Sequence, residues 1–550
     1  MSITANYPNL RPSLLLDFAN SQQLDQRITF SRSTTAPYYD GKTSVLAEQN
    51  LLLQSDNLLT GWATINCTTT GGQTDPIGGA TAFKLVCTNG GNEGTYNSSG
   101  GTTTTGFTYT FSGWFRADSA VTLNINNTSN GGGGNLSLTT SWQYLSINAF
   151  TVTSTGGLWI KPTSTVAVYV WHPQLEIRNT PTAYNATTTT ALTNYIPVLL
   201  TAPINSPRFD FNPTTGESLG LLIEQNSTNT LLNSSTFGGW VTDGAVTLLA
   251  QNIFIDGTQT LNILGQGTGN NRLYQFDNSG TLGSKTFSFY AKQYTGSTVT
   301  FSVIGGTTAT GTVTFNLNTG TASGGTNYTT NMTLVGNGLY RCSVTISVSV
   351  ASGNSTYFII AAPTNQIFIG GFQYEALAFP TSYIPTTSAQ VTRAADVAQM
   401  TGTNFSSWYN QNQGTLYSEV SVYNTSAAAM CVATLSDGTT NNRMELRPVS
   451  AAGSVNSRLF VVTSNSAQAD IQTTVVNVFQ KISAIIQSSN FILSVAGASG
   501  TAVTTGQIPS VNQLTIGNSP ATLPLNGRIK KLAYYSQVVT QTQNQSLTGS

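Results

Sequence analysis

The chain has 550 residues with 21 basic and 21 acidic side chains, so its formal net charge is zero and charged residues make up only 8% of it, against about 25% in an ordinary soluble protein. Thr, Ser, Asn, Gln and Gly take the place of charge, yet 22 Tyr, 24 Phe and 7 Trp remain; that many aromatics argue against disorder, and the missing basic excess argues against nucleic-acid binding. Four scattered cysteines and the single histidine, His172, leave little material for a disulfide framework, a His-based metal site or a His-assisted nucleophile.

At the N-terminus, Ser13-Leu14-Leu15-Leu16-Asp17 is too short and too acidic for a secretory leader. No apolar run approaches the roughly 18 residues of a membrane span, so membrane insertion is not expected. Residues 1–47 carry few of the strand-and-turn repeats found later and are read as a separate docking region. From residue 48 onward the period is that of strands. Module 1, residues 48–200, opens on Glu48-Gln49-Asn50 and a Leu-rich run to Gly61-Trp62, continues through Thr110-Phe111-Ser112-Gly113-Trp114-Phe115-Arg116, and ends on Gln174-Leu175-Glu176 and Pro181-Thr182-Ala183-Tyr184. Within it Cys67 and Cys87 are close enough in sequence to pair, although lone buried thiols are the favoured reading.

Module 2, residues 201–393, repeats these signals in the same order: Glu224-Gln225-Asn226 with a run to Gly239-Trp240, Thr286-Phe287-Ser288-Phe289-Tyr290-Ala291-Lys292, then Gln373-Tyr374-Glu375 and Pro380-Thr381-Ser382-Tyr383. The match predicts an internal duplication. Glu176 and Glu375 are read as loop organisers in preference to metal or sugar ligands, and Trp62, Trp114 and Trp240, at matched positions, as structural. Val344, Ile346 and Val348 alternate with serines and threonine as in a half-buried strand. Turn dipeptides such as Asp40-Gly41, Asn337-Gly338, Asp437-Gly438 and Asn526-Gly527 separate such runs. A third unit, residues 394–550, contains Phe405-Ser406-Ser407-Trp408-Tyr409 and closes through Leu525-Asn526-Gly527-Arg528-Ile529. The expected fold class is all-β, a series of β-sandwiches. Sparse charge on edge strands favours an oligomer that covers its edges.

Three stretches carry a resemblance. Phe30-Ser31-Arg32-Ser33-Thr34-Thr35-Ala36-Pro37-Tyr38-Tyr39-Asp40-Gly41, Pro207-Arg208-Phe209-Asp210-Phe211 on to Glu224, and Phe379-Pro380-Thr381-Ser382-Tyr383 leading to Val391-Thr392-Arg393-Ala394-Ala395-Asp396 resemble segments of tailed-bacteriophage fibre and spike proteins, of the tail or the head. The resemblance implies tandem jelly-roll modules similar to carbohydrate-binding domains, followed by a concanavalin-like or laminin-G-like sandwich over 394–550. It implies a virion-surface protein assembled in the host cytoplasm, a homo-oligomer with a trimer favoured, bound to other virion proteins through its N-terminal region, and recognising a host-surface glycan. Alternatives are a purely structural decoration or spacer and a polysaccharide depolymerase.

The residues themselves offer little for catalysis. Glycoside hydrolysis usually needs two flanking carboxylates, and the third unit has few acids. The Glu-x-Asp-x-Glu pattern of concanavalin-fold glycosidases is absent, since Val420, Ser421, Val422 and Tyr423 follow Glu419; Glu419 with Glu445 is the remaining pair. No catalytic residue, metal ligand or cofactor site is assigned. For glycan binding, Asp437, Asn442 and Arg443 supply planar polar groups after a turn, and Trp408 and Tyr409 supply rings. The competing reading of each aromatic is core packing.

Overall fold

Alternation of apolar and polar residues puts strands almost everywhere in the computed structural model, which describes residues 11–88, 93–98, 100–243, 246–256, 260–266, 272–277, 282–304, 307–349, 355–361, 366–424, 428–452, 454, 456–474 and 478–549. The chain is all-β, built of paired antiparallel sheets, and falls into two compact units. One comprises 44–196 with 250–254; the other comprises 1–43, 197–249 and 255–550. Among the described residues no helix is long and apolar enough to cross a membrane.

The smaller unit is a sandwich corresponding to module 1. One sheet runs in the order Gln143–Thr151, Thr108–Ala117, Val168–Glu176, Ala82–Cys87 and Cys67–Gln73. The other contains Gly133–Leu138, Val121–Asn127, Gly156–Pro162, Gly94–Asn97 and Trp62–Ile65. Phe111, Phe115, Val168, Val170, Leu123 and Ile125 fill the space between them. Cys67 and Cys87 stand opposite each other on neighbouring strands and form a disulfide. This corrects the expectation of two lone thiols: antiparallel pairing brings together residues that sequence spacing alone leaves apart. Closing a loop of 20 residues restricts the unfolded chain by roughly 3 kcal/mol. The double variant Cys67→Ser/Cys87→Ser is therefore expected to lose about 2–4 kcal/mol of unfolding free energy in this unit, read by denaturant titration; an unchanged midpoint would contradict that.

In the larger unit, module 2 packs one sheet ordered Thr260–Gln266, Ile367–Glu375, Gly283–Gln293, Leu339–Val348, Thr329–Gly336 against another holding Arg272–Asp277, Ser355–Ala361, Thr298–Ile304, Val313–Asn316 and Thr321–Ser323. Val344, Ile346 and Val348 point into its core. The two modules repeat the same bonds. Glu176 accepts from the backbone N–H (2.9 Å) and hydroxyl (2.5 Å) of Thr182, and Glu375 does so from Thr381 at 3.0 and 2.5 Å. Asn50 donates to the carbonyls of Pro173 and Asn185, and Asn229 to those of Phe372 and Ile384. The structural counterpart of Asn50 is therefore Asn229, not the Asn226 that the Glu-Gln-Asn match selects. Module 2 inserts Ser227-Thr228-Asn229 after that tripeptide, and the role moves with the insertion.

The C-terminal sandwich extends beyond its expected boundary. Its first sheet orders Arg208–Phe211, Ser218–Ile223, Gly527–Tyr535, Gln413–Val422, Phe479–Gln487 and Asn490–Val495. Its second orders Thr29–Ser31, Val397–Thr401, Gln513–Ile516, Ala433–Ser436, Arg443–Arg447, Asn456–Thr463 and Ser466–Thr474. Residues 14–16 pair with the Gly527–Tyr535 strand, Leu14 opposite Tyr534, and bury Leu14, Leu16 and Phe18 in the sandwich core. The N-terminal stretch, read from sequence as a separate docking region, is thus woven into both sheets, and the hairpin assigned to module 2 is an added edge of the same sandwich. The Gln- and Ser-rich tail forms a helix, Gln541–Thr548, started by a capping box at Thr540 and packed through Leu547 on Tyr417, Ile485 and Tyr535.

The three stretches that carry the phage resemblance converge within this unit. Arg32 and Arg208 bind opposite oxygens of Asp396 at 2.9 and 2.5 Å, Arg208 also binds Glu224 at 2.8 Å, and Arg393 reaches Glu224 at 3.5 Å. All five side chains are buried. Ser382 donates to Glu224 through its N–H (2.8 Å) and hydroxyl (2.6 Å), and the Tyr423 hydroxyl adds a bond of 2.9 Å. Burial works against the Glu224 carboxylate, but Arg393, Arg208 and the Ser382 donors outweigh it and hold the group well below the usual carboxylate range.

Candidate functional site

Each of the five residues singled out from sequence has a definite place in the C-terminal sandwich. Trp408 is only 4% exposed, meets Phe405 and Tyr534 edge-on at 5.0 and 5.2 Å, and donates its indole N–H to the Asn404 carbonyl. Tyr409 stacks on Phe405 at 4.7 Å. The short helix Thr403–Ser406 turns both rings into the core, so Trp408 is corrected from binding platform to packing residue. Asp437 and Asn442 do come together: Asp437 accepts from the Thr439 N–H and hydroxyl and from the Asn442 amide, at 2.6–2.8 Å. Arg443 turns away to the buried Glu445 at 3.0 Å, which also binds Arg447 and Ser519. These groups close a hairpin and spend their bonds within it and on adjoining segments, Asn442 accepting from the Ser464 N–H and Glu445 from the Ser519 hydroxyl. Glu419 binds the Tyr417 hydroxyl (2.9 Å) and Lys531 (3.4 Å).

The better site lies on module 1, on the outer face of the sheet containing Thr108–Ala117. In that strand Phe111, Phe115 and Ala117 face the core, so Trp114 and Arg116 face out. Register sets Tyr144 and Trp171 on either side of Trp114, and Tyr169 beside Arg116 with Lys84 beyond it. One row therefore reads Tyr144, Trp114, Trp171, with ring centroids 5.7 and 6.4 Å apart. The second holds Trp142 6.4 Å from Tyr169, with the Arg116 guanidinium 3.5 Å over the Tyr169 ring and Lys84 5.5 Å from it. Tyr144 is 41% exposed, and Arg116, Lys84 and Asp118 reach solvent at the edge.

A backbone bulge between Ser112 and Trp114 finishes the first row. His172 sits there at φ +55° with its ring stacked between Trp171 (3.5 Å) and Tyr184 (3.9 Å) and its Nε2 3.4 Å from Asp56. Module 2 has the same bulge with Gly371 at φ +59°, where a Cβ would strike Ile255 at 2.5 Å and Tyr290 at 2.7 Å. A left-handed conformation costs a non-glycine residue about 1 kcal/mol, so module 1 holds strain where module 2 does not, and with it gains a ring at the end of the row. Burial pushes His172 down to about 4, against the pull of the Asp56 and Asp75 carboxylates. The folded unit thus disfavours the imidazolium: stability is retained above the ordinary histidine value near 6.5 and falls as pH drops from there toward 4. With one histidine in the chain, a single pair of imidazole resonances reports this. Its NMR midpoint is expected near 4, and a midpoint near 6.5 would contradict the stacked, buried ring.

Tyr144 is open and Trp114 and Trp142 are half-buried, and their flat apolar faces suit the C–H faces of sugars, whereas Trp171 under the His172 ring and Tyr169 under Arg116 are buried and back them; Arg116, Lys84, Asp118 and Asp56 at the edges meet hydroxyl groups. This face was missed from sequence, where Trp114 was assigned to structure. The signal that marks it is spacing: Trp142 and Tyr144, Trp114 and Arg116, Tyr169 and Trp171 each lie two residues apart on adjacent strands. Among the described residues no group of His, Cys, Asp and Glu could hold a metal ion.

No protein-family model matches the chain, and no curated protein matches it. Solved structures similar to it include the CBM40 of Ruminococcus gnavus IT-sialidase bound to alpha2,3 sialyllactose, at TM-score 0.22 and 14% identity, covering 26% of this chain and 84% of that one. Another is the N-terminal CBM22-1-CBM22-2 tandem domain of Paenibacillus barcinonensis Xyn10C, at TM-score 0.20 and 9% identity, covering 62% and 99%. At such scores the likeness adds nothing to what the sheets themselves display.

Proposed function

We propose that the chain is a non-enzymatic structural protein of a tailed-phage virion, a fibre- or spike-type projection that recognises host-surface glycans through the aromatic face of module 1. The observation that carries the recognition is the set of outward rings Tyr144, Trp114 and Trp142, flanked by the Arg116 and Lys84 cations. The virion reading draws on the resemblance of the three stretches that meet at Asp396 and Glu224. Its partners in this reading are other virion proteins and further copies of itself, and its place is the virion surface. The acids weighed for catalysis favour a passive role, since Glu445 is held by Arg443 and Arg447 and Glu419 by Lys531.

Imaging purified particles with the chain located by a bound antibody tests the virion reading. The expected result is label on a surface projection; particles that lack the chain would overturn it. Carbohydrate binding is tested separately below.

A further inference from the structure

A second candidate site occurs in the larger unit, on the face of module 2 that corresponds to the aromatic face of module 1. Tyr290 stands where module 1 has Trp114, and Arg341, its neighbour across the sheet, stands where module 1 has Tyr144. Residues 37–39, the Arg208–Phe211 hairpin, and Tyr423 and Arg528 of the C-terminal sandwich cover this face and leave a cavity of about 210 Å³. Tyrosine rings form much of its wall, and Asn331 and Thr333 stand exposed along its lining.

Two guanidinium groups line the cavity, and their situations differ. Arg528 is paired with Asp210 at 2.6 Å. Arg341 has no carboxylate within ion-pair distance among the described residues. Its Nη2 donates to the Thr381 carbonyl (2.6 Å) and the Ser288 hydroxyl (3.3 Å), and its Nε is buried with no acceptor. Arg32, Arg208, Arg393, Arg447 and Arg528 each have a carboxylate partner. Arg341 is half-buried, with Glu375 the carboxylate that attracts it from beyond ion-pair distance, and the Nε edge of a guanidinium is one half of the fork that grips a carboxylate through two parallel bonds.

We propose that this cavity binds one carboxylate-bearing sugar residue, of the uronic-acid class, with its carboxylate on Arg341. The cavity has room for a single pyranose. Tyr38, Tyr39 and Tyr423, half-buried along the lining, offer faces to the sugar ring, and Asn331 and Thr333 offer neutral donors and acceptors to its hydroxyls. The site is independent of the aromatic face of module 1 and does not rest on that face binding glycan.

The test uses the full chain and ligand-observed NMR with glucuronate, galacturonate, glucose and inorganic sulfate. The expected result is binding of a uronate at least tenfold tighter than glucose or sulfate, weakened at least tenfold by Arg341→Met and left unchanged by Lys530→Ala, a surface position outside the cavity lining. Thr333→Trp, at an exposed position on the rim, blocks the cavity without disturbing the core; it keeps the test decisive if Arg341→Met does not fold, and is also expected to abolish binding. Absence of uronate binding, equal binding of glucose, sulfate binding as tight as uronate, or uronate binding that survives Thr333→Trp would each overturn the proposal.

Discussion

Arg208→Met is expected to destabilise the larger unit by about 3–5 kcal/mol, the cost of removing one partner from a buried ion network. The substitution deletes bonds to Asp396, Glu224, Ser382 and the Pro37 carbonyl at once. Glu224 and Asp396 then stay buried with less compensation, although Arg393 and Arg32 still reach them. The exposed pair Lys530–Glu217 is the control, since surface pairs contribute about 0–1 kcal/mol and Lys530→Ala should leave the midpoint nearly unchanged. The pH dependence follows in sign. Glu224 titrates lower in the folded chain than in the unfolded one, so its contribution is complete above the ordinary glutamate value near 4.3 and is lost as pH falls below it. Thermal unfolding at pH 7 and pH 3 measures both effects, and the gap between wild type and Arg208→Met should narrow at the lower pH.

Trp114→Ala is expected to weaken glycan binding at least 30-fold, about 2 kcal/mol, because Trp114 is the middle ring of its row and touches both neighbours. Tyr144→Ala removes an end ring that is already exposed and should cost binding less and stability hardly anything. Trp114→Phe, which keeps a flat face, should recover part of the loss. Trp408→Phe, a change in the C-terminal core, should leave binding as it was. Titration calorimetry against polysaccharide from the host surface reads the series. Equal affinity across it would mean that the module 1 face carries no ligand.

Strand identity was legible because the period of two is local: Val344, Ile346 and Val348 show it without help from distant residues, and all three face the core. The repeated strands were legible for a similar reason. Thr110 faces Glu176 and Thr286 faces Glu375, with the bulge two residues later in both. The N-terminal strands were hidden because three-residue segments have almost no period, and their partners lie far along the chain, as Leu14 opposite Tyr534 illustrates. The ion cluster was hidden for the same cause, its bonds spanning 364 residues for Arg32 and 188 for Arg208. The aromatic face failed on a different point. The strand 108–117 is apolar on both sides, with Phe115 inside and Trp114 outside, so alternation cannot say which side is the core. Trp408 and Tyr409 misled in the opposite direction, since a polar neighbourhood in sequence, Ser406-Ser407 before and Asn410-Gln411 after, surrounds two rings that the short helix folds inward.

The most direct test of the proposed recognition is adsorption, to its host, of a phage whose particles carry this chain, in the presence of added chain. Wild-type chain should slow adsorption in proportion to its concentration, and Trp114→Ala at the same concentration should have little effect. Equal inhibition by both, or none by either, would contradict recognition through the module 1 face.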